Sequence, residues 1–101
     1  MKLLFICNQN LHRSKTAAQI FSHKYQTKSA GLFNTHSVDK KTLTWADKIF
    51  VMEERQRKII AERFPKEYLQ KQILNLNIPD IYNFNDSKLV KSLKQKISNL
   101  I

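Results

Sequence analysis

Leu3-Leu4-Phe5-Ile6-Cys7 is apolar at every position. A strand with one wet face alternates apolar and polar residues, so an unbroken run of strand length is stable only where both faces are covered, as on an inner strand of a parallel sheet. Ile49-Phe50-Val51-Met52 repeats the pattern, and Ile73-Leu74-Asn75-Leu76 is a third candidate. Ser29-Ala30-Gly31 reads as a very short strand ending in a turn. Helical segments fall between these runs. The spacing of Ala17, Ala18, Phe21 and Tyr25 predicts a helix from Ser14 to about Tyr25, and a short one runs from Asp39 through Leu43 and Ala46. Another extends from Glu53 to Phe64, with acids in its first turn, basic residues later and Pro65 as its stop. From Asp86, the spacing of Leu89, Leu93, Ile97 and Leu100 gives a final amphipathic helix, with Asp86 as its cap. Strands alternating with helices in this way predict an α/β fold, a small doubly wound three-layer sandwich around a central parallel sheet of about four strands. Ligands in such folds sit beyond the carboxyl ends of the strands.

The chain of 101 residues is expected to form one domain, 1–101, burying roughly 65% of the surface its unfolded form exposes. One cysteine excludes an internal disulfide framework. The early apolar run is too short for a membrane span or a signal-peptide core, so a cytoplasmic protein is expected. The net charge of +10 favours anionic partners. Its basic residues are mostly lysine, 14 of 18, spread from Lys2 to Lys96. That distribution describes a solvated surface better than a nucleic-acid footprint, and binding of nucleic acid is not the favoured expectation.

Cys7-Asn8-Gln9-Asn10-Leu11-His12-Arg13-Ser14 joins the first strand to the first helix. A loop of this length can wrap its backbone N–H groups around a point above the sulfur. With the helix dipole it then forms a site for a tetrahedral anion such as phosphate. Arg13 can clasp two oxygens of that anion with its planar fork. The same field favours a thiolate on Cys7, and a thiolate beneath a phosphoryl group is a nucleophile for displacement at phosphorus. Asn10 suits a left-handed turn. The Ser14 hydroxyl can cap the helix and donate toward the sulfur. An isolated cysteine is more often a buried small hydrophobe, but strand, loop, spacing and Ser14 here agree on the functional reading.

Cysteine, five residues, arginine and serine between a first strand and a first helix resembles the signature of the low-molecular-weight protein tyrosine phosphatases. Asn10, Ser29-Ala30-Gly31, Ala46-Asp47 leading into Ile49-Phe50-Val51-Met52-Glu53, and Pro79-Asp80-Ile81-Tyr82 extend the resemblance along the chain in order. In particular the chain is similar to a compact bacterial branch described as predicted tyrosine phosphatases. It departs from the family pattern at Gln9 for the usual Gly, His12 where many eukaryotic members carry a second cysteine, Lys15 for Pro, and Ile81 for the Pro of Asp-Pro-Tyr.

On residue type alone Asp80 is a turn former after Pro79; the resemblance implies that it is the general acid, with Asp86 as the fallback. The resemblance therefore implies a phosphatase of phosphotyrosine or aryl phosphate monoesters that works through a phosphocysteine. Cys7, Arg13 and Asp80 would be catalytic, and Asn8, Gln9, Asn10, Leu11, His12, Arg13, Ser14 and Tyr82 would bind the substrate. Leu11, Asn8 and Tyr82 are the expected pocket walls, Phe33 a weaker one, while Trp45 and Tyr68 are expected to pack. His12, His23 and His36 lack metal-ligand spacing, and neither metal nor cofactor is called for. Two other classes share these residues. One is an anion-binding module that turns over little and recruits an acidic protein or nucleic acid, motivated by Gln9 and Ile81. The other is an arsenate reductase, which would need an external thiol such as glutathione because there is no second cysteine to relay a disulfide.

Overall fold

The computed structural model of the chain describes residues 1–34 and 37–101, so His36 lies outside the described residues. Four strands run parallel through the centre: β1 (Lys2–Cys7), β2 (Gln26–Gly31), β3 (Lys48–Val51) and β4 (Ile73–Asn75), in the order β2-β1-β3-β4. The helices are α1 (Arg13–Phe21), α2 (Lys40–Trp45), α3 (Glu54–Arg63), α4 (Pro65–Gln70) and α5 (Ser87–Ser98). The chain moves from β1 outward to β2, then crosses back over β1 to β3. The direction of winding therefore reverses beside β1, and the carboxyl end of β1 is the switch point at which such folds bind ligands.

The apolar runs are buried on both faces, as the absence of alternation demanded. Leu3, Phe5, Cys7, Phe50 and Met52 pack with Ala17 of α1 and with Leu89, Leu93 and Ile97 of α5. Leu4, Ile6, Ile49 and Val51 pack on the opposite face with Leu43 of α2 and Ile60 of α3, and Trp45 and Tyr68 pack against that cluster. Phe5 and Phe50 stack across β1 and β3 with ring centroids 5.3 Å apart, and Phe21 adds a third ring at 6.3 Å from Phe5.

Three boundaries differ from expectation by more than a residue or carry a second element. β2 starts at Gln26, not Ser29, because it is an edge strand whose outer half alternates exposed and half-buried residues instead of running apolar. α1 ends at Phe21, where Ser22 takes the C-cap and its hydroxyl donates to the Gln19 carbonyl; Tyr25 still reaches back to pack against Phe21. Pro65 is a start as well as a stop. It holds Phe64 out of the helical region at φ −132°, then occupies the first position of α4, where its missing N–H has no cost. The cap at Asp86 forms as read, and Asp39, read as the start of its helix, is the N-cap of α2. The Thr42 backbone amide donating to Asp39 holds that carboxyl below its ordinary range.

The loop after β1 is fixed from the β2 side. Leu32 N–H donates to the carbonyls of Cys7 and Asn8, and Phe33 N–H donates to Asn8. A Cβ on Gly31 would stand 2.8 Å from Asn34 Oδ1 and 3.0 Å from the backbone carbon of Gln9, so glycine is what lets the two loops meet. Gly31→Ala is expected to lower the thermal unfolding midpoint, because the Asn34 side chain and the Gln9 backbone must both shift to admit the methyl group. Phe5→Ala, which empties the centre of a three-ring stack, should cost about 3–5 kcal/mol in a urea titration.

Candidate active site

Cys7 ends β1 with its side chain buried, and the loop beyond it returns to the sulfur. Asn10 adopts φ 54°, the left-handed turn expected of it. That turn brings Asn10 Oδ1 to 2.7 Å from Ser14 Oγ, which lies 3.0 Å from Cys7 Sγ. Ser14 has one hydrogen. When it points to Asn10, the Cys7 thiol donates to Ser14; when Cys7 is a thiolate, that hydrogen must turn to the sulfur. Ser14 does not cap α1. The N-cap is His12, which provides no side-chain cap bond, and the Ser14 hydroxyl is committed to Asn10 and Cys7.

Arg13 opens α1 and is only 1% exposed. Its Nη1 donates to Glu53 Oε2 at 2.7 Å and to the Ile78 carbonyl at 2.8 Å. Those two bonds use both hydrogens of Nη1 and leave the Nε–Nη2 edge as the fork available to an anion. Asp80 Oδ1 stands 3.7 Å from Nε, on a side chain 60% exposed. The segment carrying Asp80 is anchored to the sheet: Leu76 N–H donates to Val51, and Ile78 N–H to Met52, continuing the β3–β4 ladder past the end of β4.

A cavity of about 370 Å³ opens over this arrangement. Of the residues read from the sequence, Cys7, Asn8, Gln9, Leu11, His12, Arg13, Asp80 and Tyr82 line it. Asn10 and Ser14 do not line it; they bond to each other, and Ser14 to the sulfur, which ties the loop to the start of α1. Phe33 is also elsewhere, exposed at the surface with the Arg63 guanidinium 5.3 Å from its ring, because the turn after β2 aims it away. Asp86 caps α5 through Lys88 N–H. Leu11 and Ile81 are lining residues that are also exposed at the surface, by 56% and 75%. Among the described residues no group of three histidine, cysteine or carboxylate side chains could hold a metal, and no helix is long and apolar enough to cross a membrane.

Sequence reasoning missed Glu53 and Gln56 as members of the site. Gln56 Nε2 donates to Asn8 Oδ1 at 3.0 Å, and the Glu53 carboxylate holds Arg13. The signal was present: an acid followed three residues later by glutamine at a helix start is a capping-box pattern, and the box forms here. What that pattern could not supply is that the helix end abuts the anion loop.

No protein-family model matches the chain, and neither does any curated protein. Solved structures do match. The low molecular weight protein tyrosine phosphatase from T. tengcongensis superposes with TM-score 0.78 at 18% identity, over 100% of this chain and 99% of its own. The YwlE arginine phosphatase from Geobacillus stearothermophilus gives 0.75 at 21% identity, over 98% and 92%. The tyrosine phosphatase Wzb from Escherichia coli K30, solved in complex with phosphate, gives 0.74 at 19% identity, over 98% and 94%. At these identities the likeness is one of architecture, and it extends from end to end: the chain has the fold of the low molecular weight protein tyrosine phosphatases.

Proposed function

We propose that the chain is a cysteine-dependent phosphatase of phosphotyrosine or aryl phosphate monoesters. The observation that carries this reading is that Cys7, Arg13 and Asp80 share the wall of one cavity. The fold likeness to proteins named as phosphatases supports it. In the first half-reaction the Cys7 thiolate attacks phosphorus. The S–P bond forms, the P–O bond to the leaving group breaks, and Asp80 gives its proton to the departing oxygen. Arg13, through Nε and Nη2, and the start of α1 stabilise the charge on the phosphoryl oxygens. In the second half-reaction water attacks the phosphocysteine, Asp80 takes the water's proton, the S–P bond breaks and inorganic phosphate leaves. Ser14, already at 3.0 Å, is the donor that steadies the sulfur as a leaving group.

The rim supports a flat apolar leaving group. Leu11, on the loop after β1, and Ile81 and Tyr82, after β4, are apolar or aromatic lining residues, and an aromatic ring against them would cover surface now facing water. Phosphorylated protein and small aryl phosphates are both substrates of this shape, in a cytoplasmic setting.

Hydrolysis of p-nitrophenyl phosphate from pH 5 to 8 tests the mechanism. Cys7→Ser should abolish turnover while the fold persists, and retained turnover in that variant would remove Cys7 as the nucleophile. Asp80→Asn should lower kcat by about a hundredfold, the scale of a positioned general acid. EDTA should change nothing. Comparison of phosphotyrosine with phosphoarginine at equal concentration tests the rim, with the aryl ester expected to react faster.

A further inference from the structure

Gln56 is a buried amide in the first turn of α3, and both of its ends are used. Its Oε1 accepts from the backbone amides of Met52 at 2.7 Å and Glu53 at 3.0 Å, which is all that capping a helix requires. Its Nε2 does something the helix has no need of. It donates to Asn8 Oδ1 at 3.0 Å, on the first residue of the anion loop, and to Glu53 Oε2 at 3.3 Å. Glu53 Oε2 is the same oxygen that accepts from Arg13 Nη1 at 2.7 Å. Asn8, Gln56, Glu53 and Arg13 thus form an unbroken chain of polar contacts between two residues, Asn8 and Arg13, that line the same cavity.

We propose that Gln56 is a positioning residue. It fixes the loop at Asn8 and the carboxylate of Glu53 together, and through Glu53 it sets the angle at which Arg13 presents its Nε–Nη2 edge. The Glu53 side chain is 40% exposed, and the capping box already ties it to the Gln56 backbone amide; the Nε2 bond adds a tie on the very oxygen that Arg13 uses. The chemical meaning of this inference rests on the phosphatase reading, but its first readout is the binding of inorganic phosphate, which needs no turnover.

Gln56→Glu keeps an oxygen for the two backbone amides and replaces only the donor. Phosphate affinity by calorimetry should fall about tenfold, the scale of a lost hydrogen bond to a charged group, and kcat/KM for p-nitrophenyl phosphate should fall with it. Adding Glu53→Gln to that variant exchanges the carboxylate and the amide. Net charge returns to that of the wild type, a donor again faces an acceptor, and phosphate affinity should recover to within about threefold. A single variant that binds phosphate as tightly as the wild type overturns the proposal, as does a folded double variant no better than the single. Should Gln56→Glu fail to fold, Glu53→Ala and Glu53→Gln decide. Charge alone predicts that removing the carboxylate beside Arg13 strengthens phosphate binding in both. Positioning predicts loss in Glu53→Ala and retention in Glu53→Gln, which keeps the acceptor. A wild-type protein that binds phosphate but hydrolyses no aryl phosphate would overturn the phosphatase reading and leave this test standing.

Discussion

A guanidinium keeps its charge at any pH a folded protein survives, so placing one under the surface commits the surrounding chain to supplying acceptors. Arg13 is in that position. Its acceptors come from the junction of β3 and α3, at Glu53, and from the segment after β4, at Ile78. Each of these is fixed in turn, Glu53 by Gln56 and Ile78 by the amide–carbonyl bond to Met52. Asp80, which lines the same cavity, comes within 3.7 Å of the Nε of the charge so held.

The parallel sheet makes the arrangement economical. β1, β3 and β4 point the same way, so the residues that follow them, the loop from Asn8, Glu53 and Ile78, emerge on one edge without any long excursion. The reversal of winding beside β1 leaves the space above its end uncovered by a crossover helix. The single glycine lies where β2 finishes and its backbone approaches Gln9. Among the described residues the three left-handed ones, Asn10, Asn77 and Asn85, are all asparagine, the ordinary residue best suited to that conformation.

Much of this was legible in the sequence where one local rule dominates. Unbroken apolar runs identified β1 and β3, because burial on both faces leaves no polar residue to confuse the period. Asp86 was readable as a cap, and Asp39 as a helix start, because a cap is satisfied within its own turn. β2 was half hidden, since the outer half of an edge strand obeys solvent as much as the sheet. α4 was missed because proline carries one signal for ending a helix and another for starting one, and only the backbone at Phe64 separates them. In the site, Cys7 and Arg13 were visible from spacing. Glu53 and Gln56 were not, because their partners lie 40 and 48 positions away in the chain, and a pattern that caps a helix looks the same whether or not a charge waits beyond it.

The buried arginine also joins occupancy of the site to the stability of the whole molecule. With only Glu53 in direct hydrogen-bond contact among the carboxylates, Arg13 has an open edge whose natural complement is an oxyanion. On the proposed reading, the anion that fills this edge binds the folded chain and has no counterpart in the unfolded one. Mass action then adds RT ln(1 + [L]/Kd) to the folding free energy, about 2.7 kcal/mol at a hundred times Kd. The phosphate released by the reaction would thus act as a folding ligand for the chain that released it, so that resistance to unfolding rises and falls with the phosphate concentration around it.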